Sequence, residues 1–230
     1  HSPVFGEGNN HWYWSGLLDG VEAQFGQGWH DGQGTSAPLL VDFDLLKIHP
    51  LQFNHGMGYY ERWWAHGPDA QRGLLSLLDQ YRMQEVAYGH QGFLGGEAWH
   101  DPALSWLEPH LMRPLTTRSA LAGPVAIDYF DGGRWRDTTA MAKAEDSGAW
   151  SRVRIRYGSG LTVWANGGDT PLRVGAVTLP PSGWLATGAG LTAGTTLRSG
   201  IVSDLAETAD SMFVNARPAE DWDTPGVTRL

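Results

Sequence analysis

The stretch that decides the fold is 153-VRIRY-157, which is followed by 158-GSG-160 and 161-LTVW-164. Apolar and charged residues alternate with a period of two from Val153 to Tyr157, and this predicts a strand with one buried face. The glycines at 158–160 predict a turn, and the apolar run after them predicts the next strand. The stretch therefore predicts two neighbouring strands in the second half of the chain.

The same pattern continues on both sides of this stretch. An apolar run at 125–130 ends in the turn Asp131-Gly132-Gly133, and Asn166-Gly167-Gly168 and Pro180-Pro181-Ser182-Gly183 predict further turns. Many short strands at this spacing are typical of two packed antiparallel sheets. We therefore predict an antiparallel β-sandwich domain at residues 115–230.

The first half predicts a different architecture. Short apolar runs alternate with stretches in which apolar residues recur every three or four positions, which is typical of α/β folds. The fold class expected for the whole chain is therefore α/β followed by all-β, with a partial (β/α) barrel at residues 1–114. Its roughly three strand–helix units have strands near 3–5, 39–43 and 85–89, and helices through 14–25, 74–81 and 101–111.

Composition and charge also differ between the two halves. All nine histidines lie between His1 and His110, and residues 1–113 carry 13 acidic and 5 basic side chains. The net charge of −9 argues against a nucleic-acid partner or an anionic membrane, because both require a basic surface. The absence of cysteine excludes disulfides and thiolate metal sites, but it leaves the compartment open, with a secreted or periplasmic location slightly favoured.

Candidate site residues follow the predicted strands of the first half, because barrel enzymes carry their chemistry at the carboxyl ends of the strands. Glu7 lies between two glycines, and Asp42 and Asp44 flank Phe43. These three carboxylates are the catalytic candidates, although Glu7 is also compatible with a surface turn and either aspartate with a helix cap. The candidates for substrate contact are Trp12, His49, Asn54, His55, Tyr59 and His90.

The alternatives for these residues are structural or metal-binding. The histidines are each compatible with hydrogen-bonded loop or core positions, and Tyr59 with helix packing. A metal site from His49, His55, His90 and Asp42 is conceivable, but no histidine pair has the spacing of a zinc-protease helix. We therefore expect no metal and no cofactor.

Two segments of the first half resemble late strands and loops of bacterial (β/α)8-barrel glycoside hydrolases, loosely of the α-N-acetylgalactosaminidase type. They are Leu39–Trp64 (LLVDFDLLKIHPLQFNHGMGYYERWW) and Glu85–Leu94 (EVAYGHQGFL). Segments Tyr157–Asn166 and Leu179–Trp184 resemble the β-sandwich that follows such barrels. The resemblance implies that Glu7 is the general acid and that the aspartate nucleophile lies upstream of these 230 residues.

These observations lead to a functional expectation with two alternatives. The chain is expected to be a glycoside hydrolase, or its C-terminal fragment, that acts on an oligosaccharide or glycoconjugate through carboxylate acid/base catalysis. The alternatives are a non-catalytic carbohydrate-binding or structural module and a histidine-rich metal-binding protein. An N-terminal portion, a second chain or a homo-oligomer is expected to complete the barrel, because three strands alone leave apolar edges exposed.

Overall fold

The protein is described by a computed structural model that covers residues 2–7, 17–23, 39–43, 51–54, 74–92, 102–120, 122–144 and 149–218. Within these ranges, most regular structure is antiparallel β. Four short strands form a separate parallel sheet in the order β1-β2-β3-β4. They are β1 (Phe5–Glu7), β2 (Gly20–Ala23), β3 (Leu51–Asn54) and β4 (Gln91–Gly92).

The second half forms one continuous, curled antiparallel sheet with the strand order β14-β13-β12-β11-β8-β7-β5-β6. The β9–β10 hairpin joins it because β10 pairs with β12. The strands are β5 (Pro124–Asp131), β6 (Arg134–Asp137), β7 (Arg152–Tyr157), β8 (Thr162–Asn166), β9 (Leu172–Val174), β10 (Val177–Leu179), β11 (Trp184–Gly188), β12 (Leu191–Arg198), β13 (Ile201–Glu207) and β14 (Met212–Pro218).

Three α-helices lie in the described part of the chain: α1 (Leu74–Tyr88), α2 (Pro102–Ser119) and α3 (Thr138–Ala142). Helix α1 contacts β7 and β8, and α2 contacts β12 and β13. The inward side chains of the sheet, such as Val153 and Ile155, share one apolar cluster with Val86 of α1 and Leu111 of α2. The two long helices therefore cover the inner face of the sheet.

The opposite face of the sheet has a smaller apolar cluster. Leu172 and Leu179 of the β9–β10 hairpin pack against Leu185 of β11, and Trp135 and Trp164 border them. Arg154 of β7 lies over the Trp135 ring, with its guanidinium carbon 5.1 Å from the ring centroid. The hairpin thus covers part of the outer face, and the apolar side chains of Ile201, Met212 and Val214 lie exposed on the same face.

The expected fold class, α/β followed by all-β, is wrong. The residues that the structure describes do not form the repeated strand–helix units of a barrel, and the curled sheet replaces the expected two-sheet sandwich. The three strands predicted in the second half, at 125–130, 153–157 and 161–164, lie at the observed places of β5, β7 and β8, whereas the other strands were not placed individually. Alternation reveals that one strand face is buried, but it does not reveal whether a second sheet or a helix covers that face.

Three local predictions in the first half are wrong as well. Residues 85–88 are the last turn of α1 and not a strand, and residues 41–43 are a single 3-10 turn. Residues 20–23, expected within a helix, form β2. Most of α1 after Leu78 is buried on all sides, so it lacks the polar face by which an amphipathic helix is recognised.

The helices expected at 74–81 and 101–111 are confirmed, and both extend further. The predicted domain boundary at 114/115 falls inside α2.

Candidate functional site at the carboxyl edge of the parallel sheet

The first two strands are joined by contacts at their amino ends. The backbone N–H of Val4 donates to the Asp19 carboxylate at 2.8 Å, and the N–H of Asp19 donates to the Val4 carbonyl at 2.9 Å. A side chain at Gly6 would collide with Leu18, because a Cβ there would lie 2.6 Å from the Leu18 Cδ1 atom. Gly6 therefore allows the loop before β2 to pack on β1.

The strand register brings two glutamate positions together. Glu7 pairs with Glu22, Glu22 with Phe53 and Phe53 with Gln91, so these four positions form one row across the parallel sheet. Neighbouring strands lie about 4.8 Å apart, and paired positions share a face. Positions 7 and 22 therefore place two carboxylate residues next to each other.

This row lies near the end of every strand in the sheet. Glu7 is the last residue of β1, and the following row contains Ala23, Asn54 and Gly92. Because the strands are parallel, all their carboxyl ends meet at one edge, where ligand sites of parallel sheets are usually found. Two acidic positions and the amide residues Asn54 and Gln91 thus lie along this edge.

A buried histidine–glutamate pair lies directly before β4. The Nδ1 atom of His90 is 3.3 Å from the Glu85 carboxylate, and the His90 backbone N–H donates to the Glu85 carbonyl at 3.0 Å. The His90 ring also stacks on Tyr88, with ring centroids 5.5 Å apart. His90 is only 3% exposed. Its contacts with Glu85 and Tyr88 therefore hold the residue that directly precedes β4 in place.

A second charged cluster ties both long helices to the curled sheet. The Nε of Arg82 donates to Glu108 at 2.8 Å, and its Nη2 contacts the same carboxylate oxygen. Its Nη1 lies 3.4 Å from Asp204 and 3.5 Å from Asp79. Burial by itself lowers the pKa of Arg82, but the carboxylates of Glu108, Asp204 and Asp79 outweigh it and hold the pKa above its ordinary value. The guanidinium therefore stays charged, and the cluster is structural.

Two buried tyrosines give the sheet a pH dependence. Burial raises the pKa of both Tyr129 and Tyr157 to about 12 from the ordinary value of 10.0. In the unfolded chain these hydroxyls ionise near pH 10, while in the folded protein they stay neutral. The stabilisation is therefore complete below pH 10 and is lost as the pH rises towards 12. We expect the free energy of unfolding to fall across this interval by on the order of 2 kcal/mol for each tyrosine.

Denaturant unfolding between about pH 9 and pH 12 measures this fall. The Tyr129→Phe and Tyr157→Phe variants are expected to lose less stability over the same interval than the unmodified protein. If both variants lose stability with pH as steeply as the unmodified protein, other groups are responsible for the alkaline transition.

The structure places three of the nine candidate site residues near the parallel sheet. Glu7 ends β1 as predicted, Asn54 ends β3, and His90 precedes β4. Asp42 does not follow a strand, because it belongs to the 3-10 turn, and its backbone N–H donates to the Tyr129 hydroxyl at 3.2 Å. The other five lie outside the described residues: Trp12, Asp44, His49, His55 and Tyr59.

Sequence reasoning missed Glu22 and the Arg82 cluster. Glu22 was assigned to a helix because Val21 fits a helical spacing with Leu17 and Leu18. A run as short as Gly20–Ala23 gives little periodicity of its own, so only its pairing with β1 reveals the strand. Asp79 and Arg82 are three residues apart on α1, but Glu108 of α2 and Asp204 of β13 are distant in the sequence, and no local pattern connects them with Arg82.

The described ranges contain no group of three or more histidine, aspartate or glutamate side chains arranged to hold a metal ion. None of the helices in these ranges is long and apolar enough to cross a membrane. No protein-family model matches the chain, and no curated protein or solved structure is detectably similar to it.

Proposed function

We propose that this protein is a glycoside hydrolase, or part of one, whose carboxylate pair is Glu7 and Glu22. The observation that carries the proposal is the strand register, which makes these residues neighbours at the carboxyl ends of β1 and β2. Glycoside hydrolysis requires two carboxyl groups, one to protonate the departing oxygen and one to attack the anomeric carbon or activate water. The edge of the parallel sheet supplies one glutamate residue for each of these two roles.

The strand register fixes the backbone spacing of the two positions. Positions paired across neighbouring strands are about 4.8 Å apart, so both residues can act on one bound sugar. One residue, as the carboxylic acid, protonates the oxygen of the leaving group while its bond to the anomeric carbon breaks. The other, as the carboxylate, attacks that carbon or activates the water molecule that does so.

Turnover of a panel of nitrophenyl glycosides tests the proposal with the Glu7→Gln and Glu22→Gln variants. Each substitution keeps the side-chain shape and removes a group required for the reaction, so we expect a loss of turnover of about 10²–10⁴-fold. Nitrophenolate leaves without protonation, so the loss for the general acid is expected to be smaller on these substrates than on an unactivated disaccharide. This difference assigns the two roles.

Glu207→Gln, an exposed glutamate on β13, is the matched control and should retain full turnover. Full activity in either Glu7→Gln or Glu22→Gln would remove that residue from the reaction. If the chain hydrolyses none of the glycosides, the hydrolase proposal for this chain alone fails.

A second candidate function is non-catalytic carbohydrate binding. It is favoured by an aromatic surface patch that consists of Trp106 and His110 of α2 and Phe213 of β14. Trp106 is 78% exposed. His110, one helical turn further on, stacks on Phe213 of β14 with ring centroids 6.0 Å apart and planes inclined by 17°. Exposed aromatic rings beside polar groups suit the flat apolar face of a sugar ring, because burying them removes apolar area from water.

Trp106→Ala tests the binding function. We expect affinity for a retained oligosaccharide to fall at least about tenfold, since a buried aromatic side chain contributes roughly 1.5–3 kcal/mol. Val125→Ala, a similarly exposed residue on β5, is the control and should bind normally. Isothermal titration with a panel of oligosaccharides measures the effect. If Trp106→Ala binds the oligosaccharide as tightly as the unmodified protein does, the aromatic patch is not the sugar-binding surface.

We also propose that the parallel sheet packs against further protein structure. Each strand of the parallel sheet has at most four residues. A sheet of such short strands gains stability by packing against further structure. An N-terminal portion, a second chain or a further copy of this chain would supply it.

A further inference from the structure

A small cavity lies where the end of α1, the second half of α2 and the strands β7 and β8 meet. Its lining includes Gly89 and His90 after α1, Thr116 and Ser119 of α2, and Tyr157 of β7. Its volume is about 10 Å³. This is roughly the room that one water molecule requires. The cavity is therefore too small for a sugar or a nucleotide.

The lining carries hydroxyl groups with unused hydrogen-bonding capacity. Thr116 Oγ1 donates to the Arg113 carbonyl at 3.2 Å, and Ser119 Oγ donates to the Leu115 carbonyl at 3.3 Å. Both hydroxyls have already given their proton to the helix, but their oxygens can still accept a hydrogen bond. Both residues line the cavity, and the Thr116 hydrogen bond is exposed to solvent whereas that of Ser119 is partly buried.

The hydroxyl of Tyr157 provides the complementary donor. Tyr157 is buried, and no backbone or side-chain group among the described residues forms a hydrogen bond with its hydroxyl. Gly89 keeps the space beside it open, because a Cβ at position 89 would lie 3.1 Å from the Tyr157 oxygen. Gly89 also has a φ of +71°, which suits glycine at the end of α1.

We propose that this cavity is a built solvent site that holds one water molecule between the hydroxyls of Tyr157, Thr116 and Ser119. The water accepts a hydrogen bond from Tyr157 and donates to the two α2 hydroxyls, so all three groups gain a partner. A water molecule that makes two to four hydrogen bonds to protein groups is a stable part of a protein structure. The site links β7 to α2 beside the His90–Glu85 pair.

High-resolution crystallography of the whole chain tests the proposal, with water-to-protein NMR cross-relaxation as an independent measurement. We expect one ordered water peak within hydrogen-bonding distance of the Tyr157 oxygen, and loss of that peak in Tyr157→Phe. Thr116→Val, which keeps the side-chain shape, should weaken the peak. Tyr129→Phe is the matched control and should retain it, because that buried hydroxyl accepts from the Asp42 N–H instead.

Absence of the peak in the unmodified protein would overturn the proposal, and so would a direct hydrogen bond from the Tyr157 hydroxyl to a protein atom. A peak that persists unchanged in Tyr157→Phe and Thr116→Val would also contradict it. The measurement on the unmodified protein decides the question even if a variant fails to fold.

Discussion

Replacing Arg82 by methionine is expected to lower the free energy of unfolding by about 3–5 kcal/mol, because a buried cation is removed from carboxylates that remain. Arg82 is 3% exposed and touches Asp79, Glu108 and Asp204, which are buried with it. Thr195 also donates to Asp204 at 2.9 Å, which fixes that carboxylate in the cluster. Methionine fills most of the space but removes the positive charge that Arg82 presents to the three carboxylates.

Urea unfolding followed by circular dichroism measures this loss. Arg156→Met is the matched control, because the Arg156 side chain is half exposed and lies 3.4 Å from Asp128. Exposed ion pairs contribute about 0–1 kcal/mol, so the control should be nearly neutral. If the Arg82 variant does not fold, its soluble yield compared with that of Arg156→Met gives the same answer. Equal stability of the two variants would contradict the structural role of the cluster.

Replacing Trp184 by alanine is expected to cost about 3–5 kcal/mol, because the largest fully buried side chain of the core is removed. Trp184 is 0% exposed and lies on β11 between Ala165 of β8 and Thr195 of β12. A Cβ at Gly194 would lie 2.4 Å from the Trp184 carbonyl oxygen. The backbones are therefore already in close contact, and we expect the surroundings to fill the cavity only partly.

Trp106→Ala provides the matched comparison, because the same residue type is removed from an exposed position. We expect a stability change within about 0.5 kcal/mol for Trp106→Ala. Trp184→Phe should cost less than Trp184→Ala, since the Trp184 Nε1 atom has no hydrogen-bond partner among the described residues. Thermal and denaturant unfolding of the three variants measures these differences. A loss for Trp106→Ala as large as that for Trp184→Ala would contradict the assignment of the core.

Strand–turn patterns in the second half were predictable because they are local. The alternation of Val153, Ile155 and Tyr157 with arginines identified β7, and these apolar residues form the inner face of the sheet. Asp131-Gly132-Gly133 forms the tight turn between β5 and β6, where both glycines have positive φ values. Such signals depend on neighbouring residues alone, so no knowledge of the tertiary fold was needed.

The first half was harder to predict for the opposite reason. Residues 85–88 are buried on all sides, and a buried helix and a buried strand have the same apolar composition. Leu39 and Val41 are buried as well, but the backbone N–H of Leu39 pairs with the Trp150 carbonyl at 2.9 Å instead of joining a sheet. An apolar run indicates burial, and the partner that the segment meets decides its conformation.

The sequence by itself determined where β5, β7 and β8 and the turns beside them lie, that α1 and α2 are helices, and that Glu7 lies at the end of a strand. Only the tertiary structure decided that one curled sheet is covered by two helices, that Glu22 is the neighbour of Glu7, and that Arg82 meets the distant carboxylates of Glu108 and Asp204. The physical reason is range. Backbone conformation follows periodicity over a few residues, whereas register and charge pairing join residues up to 122 positions apart, as in Arg82 and Asp204.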